Sequence, residues 1–285
     1  VKAAIGPIGS DVVRDPSALP QEWSVWAEEP GLAVRVEEDG LLRGCIHVVV
    51  VGQGEGWLEG LWVDPAVRGS GLGRRLVAES FALVRRHGAT VVRAAIPAHA
   101  SGALTLAERI GFSRYCEAVV LLTGLPDWPS DLPTAVLRPS LRAEATTVAG
   151  VKEAATIARL LAESAVVQAW HGLVPLGWRF RRLVPELVKG LIKDRRVLRA
   201  GGGHEGAALY ALRGEWAVIS ALAGSREHSQ ALVGGVIEEA RRAGASRLAL
   251  FVPDASAIDG LGTVFEPHPW CPDGLVIVQK TLAGG

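Results

Sequence analysis

Leu58-Glu59-Gly60-Leu61-Trp62-Val63-Asp64-Pro65-Ala66-Val67-Arg68-Gly69-Ser70-Gly71-Leu72-Gly73-Arg74-Arg75-Leu76 is the stretch on which the fold of this chain turns. A strand ends at Asp64-Pro65, glycines at 69, 71 and 73 form a turn, and an amphipathic helix begins at once. Glycine N–H groups can approach a ligand closely because no side chain intervenes. The helix start adds unsatisfied N–H groups and a partial positive charge. Arg68, Arg74 and Arg75 add full charges nearby. Together these build a pyrophosphate site. A nucleotide P-loop needs Gly-Lys-Ser/Thr, which is missing from the stretch. A dinucleotide fingerprint needs Gly-x-Gly-x-x-Gly after the first strand of a parallel sheet, and Gly69, Gly71 and Gly73 have the wrong spacing for it.

Upstream, Leu32–Glu37 and Leu41–Val51 read as strands joined by a Glu-Asp-Gly turn, and Trp57–Val63 as a third. Ser17–Glu28 reads as a short helix. Downstream, Leu72, Leu76, Phe81 and Val84 give Leu72–His87 a helical period, with Gly88 placed for a left-handed cap. Thr90–Ile96 reads as a strand, Ala100–Ile110 as a helix closed by Gly111, and Ser113–Leu122 as a strand. Prolines 126, 129 and 133 then mark a linker, which splits the chain near residue 129. Beyond it, strands are expected at Val136–Pro139, Arg196–Ala200, Ala207–Leu212, Glu215–Ala221, Arg247–Val252 and Leu275–Lys280. Helices are expected at Glu153–Glu163, Phe180–Lys193 and Ser229–Ala243.

The order repeats. An offset of 156 residues lays Leu76-Val77 on Leu232-Val233, Arg85-Arg86 on Arg241-Arg242, Gly88-Ala89 on Gly244-Ala245 and Pro97 on Pro253. The same offset lays Gly224–Ser229 on Arg68–Gly73, so that Gly71 becomes Glu227 and Gly73 becomes Ser229, and it lays Glu215 on Glu59. A carboxylate at that place repels a pyrophosphate, so the second half reads as a degenerate copy.

Arg68-Gly69-Ser70-Gly71-Leu72-Gly73 resembles the Arg/Gln-x-x-Gly-x-Gly/Ala signature of the GCN5-related N-acetyltransferase superfamily. Leu61–Pro65 resembles the strand and turn leading into that signature, and Ile110-Gly111-Phe112 the end of the family's later helix. The resemblance covers roughly Leu32 to Leu122. It implies an α/β (α+β) chain of two tandem acyl-CoA N-acyltransferase-like domains, each a mixed, mostly antiparallel sheet flanked by helices. Residues 1–129 would hold the acetyl-CoA site and 130–285 a degenerate domain. Acetyl-CoA is the implied cosubstrate, with Leu61, Trp62 and Val63 along its pantetheine arm and Arg68, Gly69, Ser70, Gly71, Leu72, Gly73 and Arg74 about its pyrophosphate. An unidentified primary amine is the implied acceptor, attacking the thioester directly. No metal is implied.

The family often carries Asn and Tyr in the later helix, where this chain has Ala100 and Ala107. Tyr115, on the following strand, is the candidate to replace that Tyr as general acid toward the thiolate. Cys116 is a second candidate, and both also read as ordinary strand residues. Glu59 is the candidate base, sharing a strand face with Trp57 and Leu61 by period two. Glu59 also fits a structural pair with an arginine. His47 is a further base candidate that reads equally as a buried core histidine. A catalytically inactive coenzyme A-binding sensor or scaffold is the alternative function.

Composition fits a packed globular chain, with 49% hydrophobic and 21% charged residues. Thirty basic and 30 acidic residues cancel, giving no global pull toward nucleic acid or an anionic membrane. No apolar run reaches the roughly 20 residues of a membrane span. Three dispersed cysteines argue against a disulfide framework, and no signal segment is visible, so the cytoplasm is the expected compartment. The chain has 25 Arg, 5 Lys, no Asn and no Met, which fits a hot environment or a GC-rich genome equally. Basic residues between Trp178 and Arg199 flank the apolar stripe of Leu183, Val184, Leu187, Val188, Leu191 and Ile192. That pattern reads as an amphipathic helix with a solvated face, and an acidic partner is the sharper alternative.

Overall fold

The computed structural model describes residues 3–6, 31–52, 54–125, 146–202, 205–258 and 265–282. The linker at 126–133, the helix expected at Ser17–Glu28 and the strand expected at Val136–Pro139 lie outside them. Two compact units interleave along the chain. The first comprises Val1–Ile96, Ala100–Arg114 and Ile277–Gly285; the second comprises Pro97–His99 and Tyr115–Val276. Compactness therefore groups residues differently from one cut at residue 129: the chain's last residues belong to the first unit.

In the first unit, β1 (Ala3–Gly6), β2 (Leu32–Glu38), β3 (Leu41–Gly52) and β4 (Glu55–Val63) form an antiparallel meander. Asp39 (φ 53°) and Gly40 (φ 71°) make the expected tight turn, since both central residues of a primed hairpin turn need positive φ. Helix α1 (Leu72–Arg86) follows, then β5 (Val91–Pro97), parallel to β4, α2 (Ser101–Arg109) and β6 (Ser113–Gly124). Leu76, Val77, Leu83 and Val84 bury one face of α1. That helix stops because Gly88 turns left-handed (φ 82°), letting Ala89 N–H reach Val84 O at 3.0 Å and Gly88 N–H reach Arg85 O at 2.9 Å. Gly111 (φ 88°) stops α2 in the same way and seats Phe112 5.7 Å from Phe81.

The second unit takes β6 from Tyr115 onward. It continues with β7 (Thr146–Val148), α3 (Ala154–Ala162), α4 (Ala165–Ala169), the hairpin β8 (Leu173–Leu176) and β9 (Arg179–Arg182), α5 (Pro185–Lys193), β10 (Val197–Ala200), β11 (Gly206–Arg213) and β12 (Trp216–Ala223). Helix α6 (Arg226–Arg242), β13 (Arg247–Val252), β14 (Glu266–Pro267) and β15 (Leu275–Thr281) complete the chain. The strand order is β6-β13-β12-β11-β10-β7 in the second unit. In the first it is β1-β2-β3-β4-β5-β15, where β15 contributes its residues from Ile277. Gln279 of β15 accepts from buried Arg93 Nε at 2.7 Å, and Lys280 Nζ donates to Ile110 O at 3.0 Å at the end of α2. The chain's final strand thus closes the first unit.

The helix expected over Phe180–Lys193 is divided. Arg179–Arg182 is a strand with Phe180 buried, and α5 begins only at Pro185, whose fixed φ suits the first helical position. Val188 and Ile192 are buried on α5, with Leu183, Leu187 and Leu191 packed beside them.

Candidate functional site

Strands β4 and β5 pair at Glu55↔Val91, Gly56↔Val92 and Trp57↔Arg93, and their pairing ends there although β4 runs on to Val63. Among the described residues, the β4 edge beyond Trp57 therefore has no ladder partner on that side, which is where an extended ligand could add itself as a strand. Across β4 from that edge, the register with β3 slips: Glu59 faces His47, but Trp62 faces Cys45. Gly60, at φ 64°, supplies the left-handed residue of a β-bulge.

The bulge corrects one expectation. Trp57 and Glu59 share a face as period two requires, but Leu61 does not join them. A methyl built on Gly73 of α1 would lie 3.7 Å from Val63 Cγ2 and 3.9 Å from Leu61 Cδ2, so both side chains turn toward α1. The extra residue resets the alternation, so Glu59 lies on the opposite face. A glycine inside a strand pattern was the available signal.

Asp64 pins the turn that follows. Its carboxylate accepts from Ala66 N–H at 2.9 Å and from Arg43 Nη1 at 2.8 Å, and Pro65 opens a single helical turn. The Ala66 N–H foremost, then Arg43, hold the Asp64 carboxyl below the usual carboxylate range. Arg68 Nε donates to Val63 O at 3.1 Å, which folds the exposed turn back on the strand end. Gly69 (φ 81°) and Gly71 (φ 87°) are both left-handed, and a Cβ on either would meet nothing within 4 Å. They are required for backbone conformation, and the space beside them is open. Gly71 caps α1 without any side-chain bond, and the first turn of α1 holds no acidic residue. The first intrahelical bond runs from Arg75 N–H to Gly71 O at 3.1 Å, so the N–H groups of Leu72, Gly73 and Arg74 precede it. Exposed Ser70 and Arg74 border this helix start. A pyrophosphate fits this set: open space, donors without a competing anion, and cations beside them.

Glu59 and His47 are brought together. Nδ1 of His47 lies 2.8 Å from Oε1 of Glu59, with side-chain exposures of 3% and 11%. The sequence offered these two residues as separate candidates; their direct cross-strand register makes them one pair. Tyr115 packs in the second unit, edge-on to His171 at 5.3 Å. Cys116 is partly buried and forms no disulfide. Ala100 precedes α2 with no side-chain cap, and Ala107 is buried in it. Arg93 escaped the sequence reading. It is 1% exposed and donates to Glu55 Oε1 at 2.5 Å, at the last β4–β5 pair.

In the second unit the 156-residue offset holds for the helix end. Ala245 N–H reaches Ala240 O and Gly244 N–H reaches Arg241 O, both at 2.9 Å, repeating the cap of α1. The offset fails upstream of the helix. Gly54 O accepts from Thr90 and Val91, whereas Glu215 O accepts from Ser246 and Arg247. Glu215 therefore matches Gly54, and buried Ser220 takes the place of Glu59. The cause is a shorter connection: Asp64–Gly71 joins β4 to α1, but only Gly224 and Ser225 join β12 to α6. Glu227 thus lies inside a helix and not in a turn.

No helix among the described residues is long and apolar enough to cross a membrane. No group of three or more His, Cys, Asp and Glu among them could hold a metal ion. Residues 9–112 match the Acetyltransferase (GNAT) family. A GCN5-related N-acetyltransferase from Sphaerobacter thermophilus shares the fold with a TM-score of 0.60 at 21% identity, over 92% of this chain and 85% of that one. A tandem GNAT protein from the clavulanic acid biosynthesis pathway does so with a TM-score of 0.53 at 16% identity, over 90% and 84%. No curated protein matches the chain. Residues 9–112 are thus similar to an acetyltransferase (GNAT) domain, and the chain shares its fold with a tandem protein of that kind.

Proposed function

We propose that the chain is an acetyl-CoA-dependent N-acetyltransferase built from two repeats, 1–129 with the coenzyme site and 130–285 as a degenerate copy. One observation carries this reading: an uncapped, acid-free start of α1 follows two left-handed glycines, directly after the strand edge that β5 leaves open. The edge of Leu61, Trp62 and Val63 would take the pantetheine arm as an added strand. The turn from Arg68 to Arg74 would take the pyrophosphate. The coenzyme supplies an activated thioester. Glu59 removes a proton from the acceptor ammonium, and the freed lone pair forms the new C–N bond. A backbone N–H near Val63 polarises the carbonyl, and the C–S electron pair leaves with the thiolate.

A second reading, coenzyme A binding without turnover, is favoured by one observation. Ala100 and Ala107 stand where the resemblance expects Asn and Tyr, and Tyr115 is engaged with His171. Thiol release from acetyl-CoA over spermidine, lysine, an aminoglycoside and a peptide with a free N-terminus separates the two. Turnover with at least one amine is expected; binding without thiol release supports the second reading. Glu59→Gln should slow the fastest amine about 100-fold or more near neutral pH and recover partly at high pH. An unchanged pH–rate profile would remove Glu59 from the chemistry.

A further inference from the structure

Taking Glu59 as the base, we infer that His47 is its positioning residue and makes the negative charge that meets the acceptor depend on a neutral imidazole. The two side chains are direct partners across β3 and β4, and Nδ1 lies 2.8 Å from Oε1. The Gly60 bulge begins one residue past Glu59 and fixes where the carboxylate stands. Behind the ring, a methyl on Gly31 would collide with Nε2 and Cε1, so the glycine leaves room for the imidazole to lie in this orientation.

An ionised carboxylate only accepts hydrogen bonds. A neutral imidazole facing it therefore presents Nδ1–H, and that bond sets the tautomer. The donation anchors Oε1 and sets the carboxylate's direction. With the ring neutral the pair carries one negative charge and attracts an ammonium acceptor. With the ring protonated the pair is neutral overall and that attraction falls. The acceptor class is thus a cationic amine, taken up as its ammonium.

The charged groups on this face from neighbouring strands are already matched. Arg35 and Glu37 of β2 pair at 2.8 Å. Glu55 of β4 and Arg93 of β5 pair at 2.5 Å. Cys45 of β3 is a thiol that burial pushes up to about 12. Histidine is the side chain whose ordinary titration lies between about pH 5 and 8.

Two measurements on the full-length chain test this. Long-range 1H–15N spectra at pH 8, with His47 identified by its loss in His47→Asn, should show the Nδ1-protonated neutral ring. An Nε2-protonated ring overturns the inference, because it could not donate to Glu59. The second measurement is kcat/KM against pH for acetyl-CoA and the fastest amine of the panel. His47→Asn keeps an N–H donor near Nδ1 and cannot titrate. Its acid limb should move about one pH unit or more downward, with the rate at pH 8 within about threefold of the parent. His47→Leu has no donor, and its rate at pH 8 should fall about tenfold or more, with unchanged affinity for acetyl-CoA. An unmoved limb in His47→Asn, or parental rates in His47→Leu, overturns the inference. A fully active Glu59→Gln removes the base itself. An inactive Glu59→Gln beside a fully active His47→Leu removes only the role of His47.

Discussion

The starts of α1 and α6 occupy the same place in the two repeats and are finished in opposite ways. At α1, an eight-residue connection, Asp64–Gly71, leads to a glycine cap with no side-chain bond and no acid in the first turn. At α6, two residues connect strand to helix, and the helix supplies its own anion. Ser225 Oγ accepts from His228 N–H at 3.3 Å and donates to Glu227 Oε2 at 2.9 Å. The Glu227 backbone N–H foremost, then Ser225, hold that carboxyl below the usual range. Gly224 is needed on two counts: its φ is 126°, and a Cβ there would lie 2.8 Å from Glu205 O. One helix start has no side-chain cap and no acid in its first turn. The other is complete as it stands, and this is what the capping of helix donors by local side chains achieves.

The first unit depends on the chain's last strand for its frame, and the largest expected effect tests that. A chain ending at Val276 lacks the β15 residues beside β5, the Gln279 acceptor for Arg93 and the Lys280 contact with α2. Leaving Arg93 and the β5 edge without these partners should abolish cooperative unfolding of the first unit, together with acetyl-CoA binding. Calorimetric unfolding and titration report both; a truncated chain that still binds tightly would show that β15 is dispensable.

Next is Gly71→Glu, which puts the anion of the second repeat into the first. Acetyl-CoA affinity should drop about 100-fold or more from charge repulsion at short range. The left-handed φ of 87° adds a backbone cost of roughly 1–2 kcal/mol, so the melting temperature should fall by a few degrees. Gly71→Asn, which tolerates this φ and brings no charge, controls for strain. Equal affinities for the two variants would remove charge as the cause.

Smaller is Asp64→Asn, which weakens the clamp on Ala66 and Arg43. Affinity for acetyl-CoA should fall severalfold, the order expected for one charge-assisted bond. The Asp64 carboxyl is depressed in the folded chain, so its contribution to stability is present above the ordinary carboxylate range and is lost as pH falls through the lowered value. The variant should therefore show a flatter loss of stability on acidification, read from melting curves between about pH 2 and 5. An unchanged acid profile would make the clamp local ornament.

The smallest expected effect is on stoichiometry. Ser225→Gly with Glu227→Gln removes cap and charge from α6 but leaves the two-residue connection. Titration should still saturate at one equivalent of acetyl-CoA per chain, as in the parent. A second equivalent would show that charge alone, and not the missing turn, silenced the second repeat. Loss of the cap itself should cost only a few tenths of a kcal/mol when glycine replaces serine.

Much of the frame was legible in the chain. Hydrophobic period placed α1 from Leu72, and Gly88, Gly111 and Gly244 marked helix ends, because only glycine turns left-handed there without strain. The glycine turn after Asp64-Pro65 was legible because close approach and helix capping are local demands. Its counterpart was misplaced because a constant offset assumes equal loop lengths, and the connection before α6 is shorter. Phe180–Lys193 reads as one helix because Phe180 and Leu183 extend the stripe of α5. The hairpin of β8 and β9 overrode it by burying Phe180 against Trp170 at 5.4 Å.

By itself, then, the sequence determined the local elements and the glycine turn, since each rests on neighbours within a few residues. Tertiary structure decided the rest. The bulge at Gly60 turned Glu59 away from Leu61, the register of β3 on β4 set His47 against it, and Ile277–Thr281 joined the first unit. Each of these is a pairing between distant segments, fixed by strand register and burial that no short stretch encodes.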